Sequence, residues 1–369
     1  MKSKLWFAFV PLVLAMAGLF AGRGDVYAGE TSTASDYKVL EPIRHGNLTV
    51  FPVVTARSHD TANFITLDEG IRSGDVVVTE SGNVPGLIRR RAPQGGDPTI
   101  HPLPRGGAQV NQLVLVNNSK RPLILLAGEI VTGGKQDRVI GKDRLVPAES
   151  DPIDLGVFCV EPGRWTGRSE KFTSMVGGMA APGVRAKAMA DKDQAKVWSY
   201  VSDARSQMAL IVPAPAAPEV NRTTSYAGVM QNEEVKQKVD AVAEPMRRDY
   251  ESVIRQLKDR NAVGVVVAMN GEIVWADLFA STSLLEKYWP KLIQSYAAEA
   301  VVSKAKGAEV STRAAQNFLA DMEGRHETVE SEPGIYRHTE ITGDGFKAFE
   351  LTSLLPKSGY DIHIAKMAE

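Results

Sequence analysis

The chain has 369 residues, 43% of them hydrophobic and 24% charged, with a formal net charge of −1. These values fit a globular protein and exclude a disordered chain, a collagen-like chain, a multi-span membrane protein and a strongly basic nucleic-acid binder. One cysteine excludes an intramolecular disulfide framework and a Cys-only zinc site.

The first 28 residues read as a secretory signal peptide. Lys2 and Lys4 precede an almost wholly apolar run over residues 5–20, and Val26-Tyr27-Ala28 offers a small-x-small cleavage site before Gly29. An uncleaved anchor is the alternative, but the run is short for a span and Pro11 interrupts it. No cysteine follows the run, which excludes a lipoprotein. Cleavage removes Lys2, Lys4, Arg23 and Asp25 and leaves a charge of about −3.

Residues 29–44 read as a flexible lead-in. Residues 48–55 form a strand, with Pro52 marking an edge or a bulge. A short helix at 67–71 and a strand at 75–80 follow, and residues 92–108, crowded with Pro and Gly, read as a loop. Residues 110–116 and 123–131 are read as a hairpin turning at Asn117-Asn118-Ser119-Lys120. Short strands around Gly141 and an apolar strand over 154–161 complete a sandwich or barrel-like antiparallel sheet.

The pattern then changes. Residues 182–201 read as a helix with Val184, Ala188, Ala195, Trp198 and Val201 on one side. Residues 213–218 are a Pro/Ala linker. Residues 231–261 are a charged helix, broken or bent at Pro245. Asn270-Gly271 joins strands 264–268 and 272–279, the second an inner strand because both its faces are apolar. Ser283 to Glu286 reads as a capping box opening a helix that Pro290 starts or kinks. Asp344-Gly345 turns a further hairpin, and Tyr360, Ile362 and Ile364 alternate along a last strand. The fold class is α+β, a β-rich N-terminal half (45–212) packed with an α/β C-terminal half (219–369).

The richest chemistry lies at Gly128-Glu129 and Gly133-Gly134-Lys135-Gln136-Asp137-Arg138, directly after an apolar strand. Glycines let a backbone curl its N–H groups toward one anion. Lys135 and Arg138 add positive charge, and Glu129 or Asp137 could take a proton. The spacing fails as a nucleotide-triphosphate loop, since Gly128 lies one residue too far upstream and Gln136 replaces the magnesium-binding Ser/Thr. A plain glycine turn with solvated charges explains the same residues. Arg164 and Trp165, at the end of the following strand, either clamp a planar or anionic ligand or cap a core. Cys159 reads as a small buried hydrophobe, and Trp198 as core. None of the six histidines shows H-x-H or H-E-x-x-H spacing, and no G-x-S-x-G elbow is present. The sequence therefore names no metal and no cofactor.

From Leu126-Ala127-Gly128-Glu129 into residues 133–138 the chain resembles the ARG and rhodanese-phosphatase-superfamily-associated protein domain. The resemblance continues at Val157-Phe158-Cys159-Val160-Glu161 with Arg164-Trp165, and at Gln194-Ala195-Lys196-Val197-Trp198. It recurs along residues 271–279, and at Trp289-Pro290-Lys291-Leu292 with Ser295-Tyr296-Ala297. It covers residues 45–305 and crosses the Pro/Ala linker, which implies that the two halves pack as one unit. The family name implies gene association with ADP-ribosyl-glycohydrolase-like and phosphatase-like proteins.

The resulting expectation is a periplasmic or secreted bacterial module that binds an anionic phosphate- or ADP-ribose-type small ligand, with hydrolysis as an extension. Gly133, Gly134, Lys135, Gln136, Arg138, Arg164 and Trp165 would bind it, and Glu129 and Asp137 would act as bases. The alternative is a non-catalytic envelope interaction protein in which these residues only build a turn. Convergence of Arg164 and Arg185 with Lys135 and Glu129 on one cleft separates the two. N-terminal sequencing of the exported protein should begin at or near Gly29; a product retaining Met1 in the membrane fraction would contradict cleavage.

Overall fold

The computed structural model describes residues 36–81, 109–257, 260–303 and 309–369. The leader and the loop expected at 92–108 lie outside the described residues. The chain is already in strand at Tyr37–Val39 and again at Ile43–His45, inside the expected lead-in.

A nine-stranded antiparallel sheet forms the larger layer. Its spatial order is Tyr37–Val39, Leu48–Thr55, Asn261–Met269, Glu272–Phe279, Asp361–Ala368, Phe346–Ser353, Tyr336–Gly343 and Arg325–Glu332, with Ile43–His45 also pairing to the second strand. Side chains alternate across a strand, and Asn261–Met269 uses both faces. Val265 and Val267 pack toward the helices Glu233–Gln256 and Thr282–Ala300. Val266 and Ala268 pack on the other side with Phe51, Leu278 and the helix Thr312–Ala320. Glu272–Phe279 lies between two partners, as its doubly apolar pattern requires. Pro52 is neither at an edge nor bulged out. It falls where the partner of its strand changes from Ile43–His45 to Tyr37–Val39.

A six-stranded antiparallel sheet forms the N-terminal layer, in the order Thr173–Met179, Glu129–Thr132, Arg138–Ile140, Ile153–Cys159, Gln112–Asn117, Val76–Glu80. Its edges meet. Thr79 bridges to Lys171, and the Phe172 N–H donates to Val78 O at 2.9 Å, closing a small barrel around Val78, Leu113, Leu115, Ile140, Val157 and Phe172.

The expected hairpin at 110–131 does not form. Gln112–Asn117 pairs with Val76–Glu80 and Ile153–Cys159, whereas Leu123–Leu125 joins Arg144–Val146 and Ile65–Thr66 in a separate three-stranded sheet. Leu113, Val114, Leu115 and Val116 are all fully buried, so no apolar/polar alternation selects a partner or a register. The Asn117 side chain ties the turn instead to Arg121 O and Pro147 O, sending the chain into the other layer. The return strand also breaks at Leu126, whose carbonyl accepts the Glu129 N–H, and resumes as Glu129–Thr132.

The helix expected at 182–201 is interrupted. Pro182–Ala186 runs into a π-turn at Lys187–Asp191, Lys192 takes a left-handed φ of 52°, and Asp193 caps a new helix, Gln194–Ile211. The restart turns Ala195 outward and leaves Trp198 half-buried, while Val184, Ala188, Val197 and Val201 stay in the core. Within the expected linker, residues 213–216 make a turn and Ala217–Arg222 a short helix against Gln194–Ile211. Pro245 and Pro290 each sit inside one continuous helix, Glu233–Gln256 and Thr282–Ala300, where packing against the sheet outweighs the lost N–H. The second helix is capped by Ser281, whose Oγ accepts the Leu284 N–H at 3.0 Å, not by Ser283. Among the described residues no helix is long and apolar enough to cross a membrane.

At Asn270-Gly271, φ is 54° and 83° between the paired residues Met269 and Glu272, the two-residue hairpin turn that demands positive φ at both positions. Gly271→Val should lower unfolding free energy by about 1–3 kcal/mol through backbone strain, read by urea titration; an unchanged midpoint would contradict the turn.

Candidate functional site

The double-glycine turn links Glu129–Thr132 to Arg138–Ile140 on the barrel. Its N–H groups are curled inward as the glycines allow, but the chain itself fills them. Gly133 N–H donates to Asp137 Oδ1 at 3.1 Å and Gly134 N–H to Ser169 Oγ at 3.3 Å. Lys135 N–H donates to Glu80 Oε1 at 2.9 Å, and Asp137 N–H to Glu161 Oε2 at 3.0 Å. Arg164 clamps the same turn from outside, donating to Gly133 O, Gly134 O and Glu161 Oε2, the last at 2.6 Å. Gln136 donates to Glu161 O at 3.1 Å. Asp137 accepts from Ser225 Oγ at 2.7 Å. Burial lifts the Asp137 carboxyl above its ordinary range, and the neighbouring Glu161 charge adds to that. Burial also pushes Glu161 up, but Arg164, the Asp137 N–H and Arg168 outweigh it and hold Glu161 below the ordinary range.

Arg138 follows the turn, yet its side chain is fully buried and donates weakly to Asp137 O and Gln109 O. Cys159 lies opposite it in register, fully buried, and burial pushes its thiol up, as a small core hydrophobe requires. Three groups face outward. Trp165 is 44% exposed, and the Lys135 ammonium stands 5.1 Å from its ring centroid. Arg168 is exposed as well; its N–H donates to Gly134 O at 2.9 Å and its guanidinium pairs with Glu161 at 3.2 Å.

Glu129 is elsewhere. Its Oε1 accepts from Lys291 Nζ at 2.6 Å and its Oε2 from the Leu126 N–H at 2.8 Å. Lys291 also meets Asp68 at 2.7 Å. Burial raises the Glu129 carboxyl, while the two carboxylates keep Lys291 cationic against the same burial.

Arg185 does not converge on the turn either. It forms a bidentate pair with Asp277 at 2.9 and 2.8 Å and stacks 4.3 Å from the Trp275 ring centroid. Asp277 accepts from the Tyr296 hydroxyl and faces His363 Nε2 at 3.1 Å. His363 Nδ1 meets Asp143 at 2.5 Å, and Asp143 also accepts the Ala127 N–H at 2.7 Å. Arg185, Asp277, His363 and Asp143 are all fully buried. Gly128 belongs to this cluster, since a Cβ there would lie 2.6 Å from Arg185 Cγ.

The structure thus gathers Gly133, Gly134, Lys135, Gln136, Asp137, Arg164 and Trp165 in one place. It puts Arg138 beneath them, and Glu129 and Arg185 in two other buried clusters, so Arg164, Arg185, Lys135 and Glu129 do not converge on one cleft, the arrangement expected of the interaction-protein alternative. Sequence reading passed over Glu80, Ser169 and Ser225, which complete the turn, and the Asp143–His363–Asp277 chain. The available signal for the latter was a carboxylate at Asp277 within the apolar run of Glu272–Phe279, and a histidine within Asp361–Ala368.

Burial lowers the His363 imidazolium, but Asp143 and Asp277 outweigh it and raise its pKa to about 9, against 6.5 ordinarily. The folded state therefore holds the proton more tightly than the unfolded chain. The stabilisation is complete below pH 6.5 and is lost as pH rises through 9. Unfolding free energy should fall by about 3 kcal/mol over that window in wild type. His363→Gln, compared by urea titration across the same window, should remove that part of the slope; identical slopes would refute the assignment.

A family model for the ARG and Rhodanese-Phosphatase-superfamily-associated Protein domain matches residues 36–366. Comparison with curated proteins and with solved structures gave no significant match. The match spans all three sheets and all three polar clusters, and the chain belongs to the family of the ARG and Rhodanese-Phosphatase-superfamily-associated Protein domain.

Proposed function

We propose that the protein is an exported binding module for a planar, anionic small ligand of the ADP-ribose or nucleotide-phosphate type, held on the outer face of the double-glycine turn. The supporting observation is the exposed Trp165 ring with the Lys135 ammonium over it and Arg168 beside it. A large aromatic surface left in water forgoes the stabilisation of burial, and covering it with a flat ring recovers that stabilisation. A base stacked on Trp165 and phosphates near Lys135 and Arg168 would use the whole face. Export rests on the leader, and the ligand class draws on the family's name.

The reading is one of binding. Asp137 is committed to Ser225 and the Gly133 N–H, and Glu129 to Lys291 and the Leu126 N–H. Both oxygens of each carboxylate are already engaged by these donors, away from the outer face.

Thermal-shift and fluorescence titrations of the full chain with ADP-ribose, adenosine and inorganic phosphate test the proposal. ADP-ribose should raise the melting temperature by mass action, and adenosine or phosphate alone should do so less. Trp165→Ala and Lys135→Ala should each weaken binding about tenfold, the scale of one lost stacking or cation contact. No shift with any of the three ligands, or undiminished binding by both variants, would overturn it.

A further inference from the structure

Among the helices Gln194–Ile211, Tyr226–Gln231 and Thr282–Ala300 lies a cavity of about 130 Å³. That is close to the ~150 Å³ of an engineered apolar cavity able to hold benzene. Its walls include Tyr200, Val201, Met208, Tyr226 and Val229, with Glu299 among them. It shares Met230 and Ala298 with a larger groove of about 490 Å³ that reaches Asp240 and Glu244.

Glu299 is out of keeping with these walls. Its carboxylate accepts from the Tyr200 hydroxyl and from the Gly183 N–H at 3.2 Å, and both donors are neutral. The buried carboxylates Glu129, Asp143, Glu161 and Asp277 each face a lysine, histidine or arginine. Arg205 also lines the cavity and keeps its charge, but its guanidinium bonds Thr223 O and Ser202 Oγ and not Glu299. Glu299 is half-buried, and a carboxylate desolvated by apolar surroundings without a cation is costly; that desolvation pushes its carboxyl up. Two tyrosine rings beside a carboxylate suit a cation whose own surface is apolar, since ring faces attract positive charge.

We propose that this cavity is a binding site for a small organic cation, a compact alkylammonium or quaternary ammonium ion, with Glu299 as its counter-ion and Tyr200 and Tyr226 as aromatic walls. The site is separate from the turn at residues 133–138 and takes a ligand of opposite charge. Asp203 at the cavity adds negative charge at its rim, whereas Asp240 and Glu244 along the groove are already paired with Lys236 and Arg247.

Titration calorimetry of the full chain with tetramethylammonium, against tert-butanol as a neutral molecule of similar size, tests the site. Tetramethylammonium should bind at least about tenfold more tightly than tert-butanol, the scale of a desolvated cation contact. Glu299→Gln keeps an oxygen for Tyr200 and Gly183 while removing the charge, and should abolish the preference for the cation. Should that variant not fold, Ala298→Leu narrows the junction of cavity and groove with Glu299 intact, and should lose the tetramethylammonium heat. Equal binding of the two probes, no binding of the cation by wild type, or full cation binding by a folded Glu299→Gln or Ala298→Leu protein would overturn the proposal.

Discussion

A fully buried chain of charges holds the barrel to the large sheet. Asp143 leaves the barrel between Arg138–Ile140 and Arg144–Val146, and it also receives the Ala127 N–H. His363 and Asp277 come from the adjacent strands Asp361–Ala368 and Glu272–Phe279, and Arg185 from the short helix Pro182–Ala186. Two cations and two anions leave the cluster near neutral. A buried ion network of this kind contributes little net stability over a well-packed apolar equivalent, but removing one member strands a charge and is strongly destabilising. The network therefore acts as a registration device. This docking of barrel on sheet satisfies all four groups, and Gly128 permits it by leaving room for the Arg185 stem.

The helix Thr282–Ala300 carries the rest of that joint. From successive turns it sends Tyr288 to Ile124 O, Lys291 to Glu129 and Asp68, Ser295 to Ala180 O, and Tyr296 to Asp277. Spacings of three and four residues place Tyr288, Lys291 and Ser295 along one buried flank facing the barrel, and Tyr296 lies one position on, toward the inner strands. The motif Trp289-Pro290-Lys291-Leu292 with Ser295-Tyr296-Ala297 is thus a row of interlayer contacts. Gln194, in another shared motif, likewise bonds both the N–H and the carbonyl of Cys159, tying a helix start to the end of a barrel strand.

The same economy shapes the double-glycine turn. A curled backbone with convergent N–H groups attracts anions whatever their source, and here Asp137, Glu80 and Glu161 supply them from within the chain. Arg164 then offsets the gathered negative charge. This leaves the outward face, with Trp165, Lys135 and Arg168, as the part of the turn open to a ligand. Glu299 is the reverse case, a half-buried carboxylate whose neighbours donate without neutralising it.

The sequence by itself determined what depends on near neighbours. Asn270-Gly271 and Asp344-Gly345 turn hairpins because positive φ is a local demand, met at Gly271 and Gly345. The doubly apolar Glu272–Phe279 is an inner strand because burial on two faces leaves its mark on every residue. The α+β class and the family were legible for the same reason, as were the residues that gather at the turn. Only the tertiary structure decided which strands pair and which charges meet. Gln112–Asn117 and Leu123–Leu125 are close in sequence but lie in different sheets, since the central residues of the first and all of the second are apolar on both faces and neither encodes a partner. Glu129, Asp137 and Arg185 find Lys291, Ser225 and Asp277 at separations of 162, 88 and 92 residues. A buried charge takes whichever opposite charge or donor the packing brings within reach, and at such separations the sequence alone carries no record of that distance.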